Sequence, residues 1–169
     1  MEVIMKTTRI IALVAAVLMM LTALTGCFAP QEKKFSKAGM TITLDTSFYE
    51  DELVSQTAVY TSKNILVTAL KEEFSLFESV GLDAGDFTVR DYAELVIENN
   101  LLTDTEVEIN DGLTGFVFEN EANGKTFKYS SYVFKGTDSF WLIQIAVEAG
   151  SYEKYAEQIK TIAKSVVVD

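Results

Sequence analysis

Reactive side chains are scarce in this sequence. Cys27 is the single cysteine of the 169 residues, and there is no histidine. Without imidazole the chain cannot build a Ser-His-Asp or Cys-His nucleophile, and with one thiol it cannot build a zinc site of thiolates and imidazoles. Its glycines are scattered singly, so no glycine-rich phosphate loop is present. Oxygen ligands remain: Asp83 and Asp86 surround Gly85, and Glu119 and Glu121 flank Asn120. Neither spacing matches the ordered ligand series of a calcium loop, so these carboxylates are expected to be solvated. With 25 acidic residues, chance carboxylate pairs are certain, and none is singled out for acid–base work. No catalytic, cofactor or metal site is expected, and the chain reads as a non-enzyme.

The surroundings of Cys27 give that thiol a different use. Lys6 and Arg9 make a basic start, and residues 10–24 then run without a charge. A basic segment followed by a short apolar run is the pattern of a secretion signal, and the run is shorter than the ~20 residues of a spanning helix. Leu24-Thr25-Gly26-Cys27 follows at once and resembles the lipobox of bacterial lipoproteins. The resemblance implies that residues 1–26 are a signal peptide cut before Cys27, and that a diacylglycerol is joined to the Cys27 sulfur. The alternative is an ordinary signal peptide with a stray thiol. Two acyl chains would hold the protein stably on the outer side of a membrane.

Residues 1–26 carry Lys6, Arg9 and Glu2, so of 14 basic and 25 acidic side chains the remainder keeps 12 and 24, and the net charge moves from −11 to −12. Such a surface repels nucleic acid and anionic lipid and favours solubility and basic or cationic partners, but acidity alone names no partner. Phe28 to Lys37 is polar, contains the only proline, Pro30, and shows no apolar period, so 27–37 is expected to be a lipidated cysteine with a flexible tether. A single domain is expected over 38–169.

Within that domain, alternation places strands at Met40–Leu44, 54–61 and 65–70. Lys71-Glu72-Glu73 marks a strand end, and Phe74, Leu76, Phe77 and Val80 suit either a short helical turn or a loop. Thr88 with Asp91 forms a capping box ahead of an apolar stripe at Val89, Tyr92, Ala93 and Val96, which predicts a helix over 88–100. Strands follow at 105–109, 113–118, 126–134 and 139–147, joined by Asp111-Gly112 and Asn123-Gly124, which accept the positive φ of tight hairpins. Glu106 and Glu108 give the 105–109 strand a wet face, opposite Val107 and Ile109. The strand at 139–147 is apolar on both faces, Phe140 and Leu142 against Trp141, Ile143, Ile145 and Val147, so it belongs at the centre of a sheet covered on both sides. Ser151 caps a final amphipathic helix over 152–166.

Three strands, a helix, four strands and a helix make an α+β domain, a mainly antiparallel sheet of about six to seven strands with helices packed on it. This order, the opening Gly39-Met40-Thr41-Ile42-Thr43-Leu44 and the closing pair Trp141–Val166 resemble the Mog1/PsbP-like fold. The resemblance implies a binding or assembly module without catalysis, here anchored outside the cytoplasm through Cys27, with an unknown protein or small-ligand partner and no nucleic acid. The second reading is a small-molecule carrier with an apolar pocket between sheet and helix. The aromatic strand 126–134 offers a surface on each face, Phe127, Tyr129 and Ser131 against Lys128, Ser130, Tyr132 and Phe134, and the helices are expected to cover them.

Overall fold

A computed structural model describes residues 31–169, so the expected signal segment and Cys27 lie outside the described residues. Seven antiparallel strands form the main sheet in the order β3-β4-β5-β9-β8-β7-β6. They are β3 (Tyr49–Asp51), β4 (Ala58–Thr61), β5 (Leu66–Glu73), β6 (Glu108–Asn110), β7 (Leu113–Ala122), β8 (Lys125–Lys135) and β9 (Ser139–Glu148). Strand β9 lies at the centre because both of its faces are apolar. Trp141, Ile143, Ile145 and Val147 enter one core, and Phe140 and Leu142 enter the other.

The first core is closed by a small sheet, β1 (Glu32–Lys37), β2 (Met40–Asp45) and β10 (Val167–Val168), together with helix α3 (Tyr152–Lys164). Met40, Ile42 and Leu44 of β2 meet Ile159, Ile162 and Ala163 of α3 over Trp141 and its neighbours. The second core lies under α1 (Phe74–Ser79) and α2 (Val89–Asn99), where Phe77, Tyr92, Ala93 and Val96 cover Phe116, Val133, Phe140 and Leu142. The result is a central sheet covered on both faces.

Local signals act as their chemistry requires. The Thr88 hydroxyl accepts from the Asp91 N–H at 3.2 Å while the Asp91 carboxylate accepts from the Thr88 N–H at 2.8 Å, closing the capping box. The Thr88 hydroxyl also donates to the Asp91 carboxylate at 2.6 Å, and this bond, with that from the Thr88 N–H, holds the Asp91 carboxyl below its ordinary range. Asp111-Gly112 and Asn123-Gly124 both take positive φ at their hairpin turns. The Asn100 side chain closes α2 by donating to the Val96 carbonyl at 2.8 Å.

Several expectations need correction. Residues 32–37, expected as tether, form β1 and pair along their whole length with β2. Only Phe35 of β1 is buried, against Tyr60 at 4.9 Å between centroids, so no apolar period announces the strand. Its hairpin turns through Ala38-Gly39, both at positive φ, where alanine gives no turn signal. Strand 54–61 shrinks to Ala58–Thr61, because Leu53 and Gln56 close a turn that leaves Val54 in solvent. The 105–109 strand moves to Glu108–Asn110: Val107 packs into the second core, while Ile109 is 60% exposed rather than buried. Ser151 makes no side-chain cap, since a 3-10 turn, Ala149–Ser151, leads into α3 instead. Strands β3 and β10 are too short to carry a period.

Candidate functional site

Two of the acidic positions considered as cation ligands, Asp83 and Glu119, have local partners. The Asp83 carboxylate accepts from the Gly85 N–H at 2.9 Å, closing its own turn, and Glu119 stands 4.0 Å from Lys128. Among the described residues, no group of three or more acidic side chains converges on a point that could hold a metal ion.

The aromatic strand β8 divides as its pleat requires. On one face Tyr132 and Phe134 pack against the first core, and the Ser130 and Tyr152 hydroxyls lie 2.9 Å apart. Lys128 sits 4.4 Å above the Tyr152 ring, so α3 covers this face. Burial, with Tyr152 and Glu108 nearby, pushes the Tyr132 phenol above its ordinary pKa. On the other face the helical cover is incomplete. Tyr129 stacks on Phe118 at 4.8 Å and 8°, and forms a shared wall of two open clefts of about 350 and 450 Å³. The space between α3 and the sheet is filled by Ile159, Ile162, Trp141 and Ile143. The cleft of about 400 Å³ beside α3 opens to solvent, and Glu108, Asp111, Glu157 and Lys160 share its lining with apolar residues. Space beside α3 is therefore confined to open clefts at its margins, this one and the cleft of about 450 Å³ that Tyr155 also lines.

A different surface stands out by its charge. Between the end of β5 and β6, residues 72–108 hold eleven acidic side chains: Glu72, Glu73, Glu78, Asp83, Asp86, Asp91, Glu94, Glu98, Asp104, Glu106 and Glu108. Arg90 is the one basic residue in that stretch, and it is paired with Glu94 at 2.9 Å. The rest of the described chain is close to neutral, so this stretch carries nearly all of the net charge, most of it on the side of α1 and α2, with Glu108 at the cleft beside α3. Counting charge in windows along the sequence would have found this. Lys71-Glu72-Glu73, read as a strand end, does end β5, and it also opens the acidic stretch.

The same layer exposes apolar side chains. Leu76 is 57% exposed and Val80 73%, and with Leu82 they rim a groove of about 330 Å³ between α1 and α2. Its floor is Phe77, Tyr92 and Val96, with Glu72 at one margin and Asn99 at another. The Tyr92 hydroxyl donates to the Glu72 carboxylate, and its ring stacks on Phe140. Burial first, and then Glu72, push the Tyr92 phenol far above its ordinary pKa. Contiguous exposed apolar surface is what interaction sites use, and these side chains supply it beside a formed groove. An α-helix contributes them here because Leu76 and Val80 lie four residues apart, on one side of α1 and its C-cap.

No protein-family model matches the chain, and no curated protein matches it. Solved structures do. PsbP (CyanoP) from the cyanobacterium Synechocystis superposes with a TM-score of 0.54 at 10% identity, over 85% of this chain and 96% of that one. The Ran-binding protein Mog1p of Saccharomyces cerevisiae gives 0.53 at 12% identity, over 83% and 96%. A Bacteroides thetaiotaomicron protein gives 0.51 at 14% identity, over 82% of this chain and 49% of its own. At such identities the likeness is one of fold: the architecture is Mog1/PsbP-like.

Proposed function

We propose that this Mog1/PsbP-like domain is a membrane-anchored, extracytoplasmic binding module that acts without catalysis, tethered through lipid on Cys27 and engaging a partner protein with its acidic helical face. The segregation of charge into residues 72–108 carries this reading, because a concentration of one sign steers encounters and selects partners. The fold supports it, one similar structure being described as a Ran-binding protein.

The connectivity agrees with an anchored display. Four residues separate Cys27 from Glu32, a span of at most about 18 Å. Glu32 pairs with Asp45, at the end of the domain where β2 turns toward Tyr49 and Thr61. At the opposite end of the β1–β2 hairpin, Gly39 bonds Asp169 and Asp169 bonds Thr137, while Asp138 accepts from the first N–H of α1. Helix α1 thus starts at the end of the domain opposite Glu32.

Two arms test the reading. Cys27→Ser should release or trap the precursor in cell fractionation while the domain stays folded. A photocrosslinking residue at Leu76 should capture a discrete protein on intact cells, and one on the outer face of α3 at Glu153 should not. Unchanged membrane retention of Cys27→Ser would remove the anchor from the proposal. Equal capture from both faces would remove the binding face.

A further inference from the structure

We infer that the groove between α1 and α2 is a socket for a basic amphipathic helix, a deepening that rests on the binding-module reading above. The groove has the two halves such a ligand needs. Its walls offer Leu76, Val80, Leu82 and Leu95, partly or largely in solvent, over a floor of Phe77 and Val96. An incoming helix with apolar side chains at i, i+3, i+4 and i+7 could lay that stripe along such walls.

The two helices that frame the groove are acidic: Glu78 on α1 and Glu94 and Glu98 on α2 are exposed, although they stand outside the groove lining. Glu72 sits at the groove margin itself. Arg90, the one base within 72–108, is already paired with Glu94. A ligand with lysines or arginines flanking its apolar stripe would be drawn by the net negative charge of residues 72–108, and one with acidic flanks would be repelled.

Competing occupants fit less well. A bilayer bearing anionic lipid would be repelled by the same carboxylates that attract a basic peptide. A bare cation finds no converging ligand group among the described residues. An extended strand would need an open sheet edge, and the sheet's outer strands β3 and β6 do not line this groove. Helix-in-groove docking needs only side chains, which is what the groove presents.

The test uses the full chain in phosphatidylcholine nanodiscs, with empty nanodiscs as blank. The probe is a fluorescent peptide of about four helical turns, with leucines at the i, i+3, i+4, i+7 spacing and lysines elsewhere. Its controls are a scrambled peptide of the same composition and a version with glutamate for lysine. Anisotropy should show the patterned peptide binding at least about tenfold tighter than the scrambled one, and weakening about tenfold as salt rises from ~50 to ~300 mM. Leu76→Glu and Val80→Glu, both at exposed positions that leave the core intact, should each abolish this preference. Glu153→Gln on α3 should leave it unchanged.

Equal affinity for the scrambled peptide would overturn the inference, since attraction would then be charge alone. Indifference to both Leu76→Glu and Val80→Glu would do the same. So would a dimer in sedimentation that Leu76→Glu dissociates, because a second copy would then own the groove. Should cell crosslinking at Leu76 capture a partner with no basic amphipathic segment, the binding module would stand and this occupant would fall.

Discussion

Tyr92 lies flat against Phe140, ring centroids 4.5 Å apart and planes 4° from parallel, while its hydroxyl donates to the Glu72 carboxylate. One side chain therefore joins α2 to the central strand β9 and to the end of β5. It is also the floor of the α1–α2 groove, so the groove's shape depends on the second core.

Tyr92→Phe keeps the ring and removes the hydrogen bond. It should cost about 1–2 kcal/mol, since the bond is charge-assisted but Glu72 is only half-buried. Tyr92→Ala should cost about 3–5 kcal/mol by leaving a cavity under α2. Urea unfolding read by the fluorescence of Trp141, the only tryptophan, would measure both.

The raised Tyr92 phenol has a pH signature. In the unfolded chain the group ionises near its ordinary value of about 10, while the folded state holds the proton to higher pH. Its contribution is therefore complete below pH ~10 and is lost as pH rises beyond it. Stability measured across that window should fall less steeply in Tyr92→Phe than in the wild type. Identical slopes would mean that Tyr92 is not the group responsible.

Asp111 gives the opposite sign. Lys160, and then Lys164, hold its carboxyl below the ordinary range, and it joins the β6–β7 turn to α3. That support is present above pH ~4 and is lost as pH falls through the depressed value. Asp111→Asn keeps the turn, because asparagine also accepts positive φ. The variant should be less stable than the wild type at neutral pH and converge with it in acid.

Two glycines of the β7–β8 hairpin, one on a strand and one in its turn, separate packing from backbone strain. A Cβ at Gly115 would stand 2.2 Å from the Ser131 carbonyl oxygen, so Gly115→Ala must push β7 away from β8. At Gly124, φ is +72° and nothing lies within 4 Å, so Gly124→Ala meets strain alone. Denaturant midpoints should place the second loss near 1 kcal/mol and the first at least about twofold higher.

The chain's last residues tie the two sheets together. Asp169 donates to Gly39 at 3.0 Å and accepts from Thr137 at 2.8 Å, after β10 has paired with β2. Deleting 167–169 should cost about 2–3 kcal/mol in lost hydrogen bonds and edge packing. Amide exchange should accelerate at Thr137. Protection that survives the deletion would show that the two turns hold each other by other means.

What could be read from residues alone was what short-range chemistry dictates. The double-faced run Trp141–Val147 announced a central strand, because burial on both sides demands apolar residues on both faces, and only Gln144 departs from that. Asp111-Gly112 and Asn123-Gly124 announced hairpins, and Thr88 with Asp91 announced a helix start, since each satisfies a backbone requirement within a few residues. The α+β class followed from the order of those elements.

Tertiary structure decided the rest. Strand β1 has one buried residue and β10 has two residues in all, so neither carries a period, and their pairing with β2 is a long-range event. The acids of 72–108 were visible as letters, but no rule of spacing says that α1 and α2 will lie side by side with Leu76 and Val80 between them. That juxtaposition arises because Phe77 and Tyr92 must both reach Phe140. Burying those rings in one core brings the two helices together and leaves the remaining apolar side chains facing water.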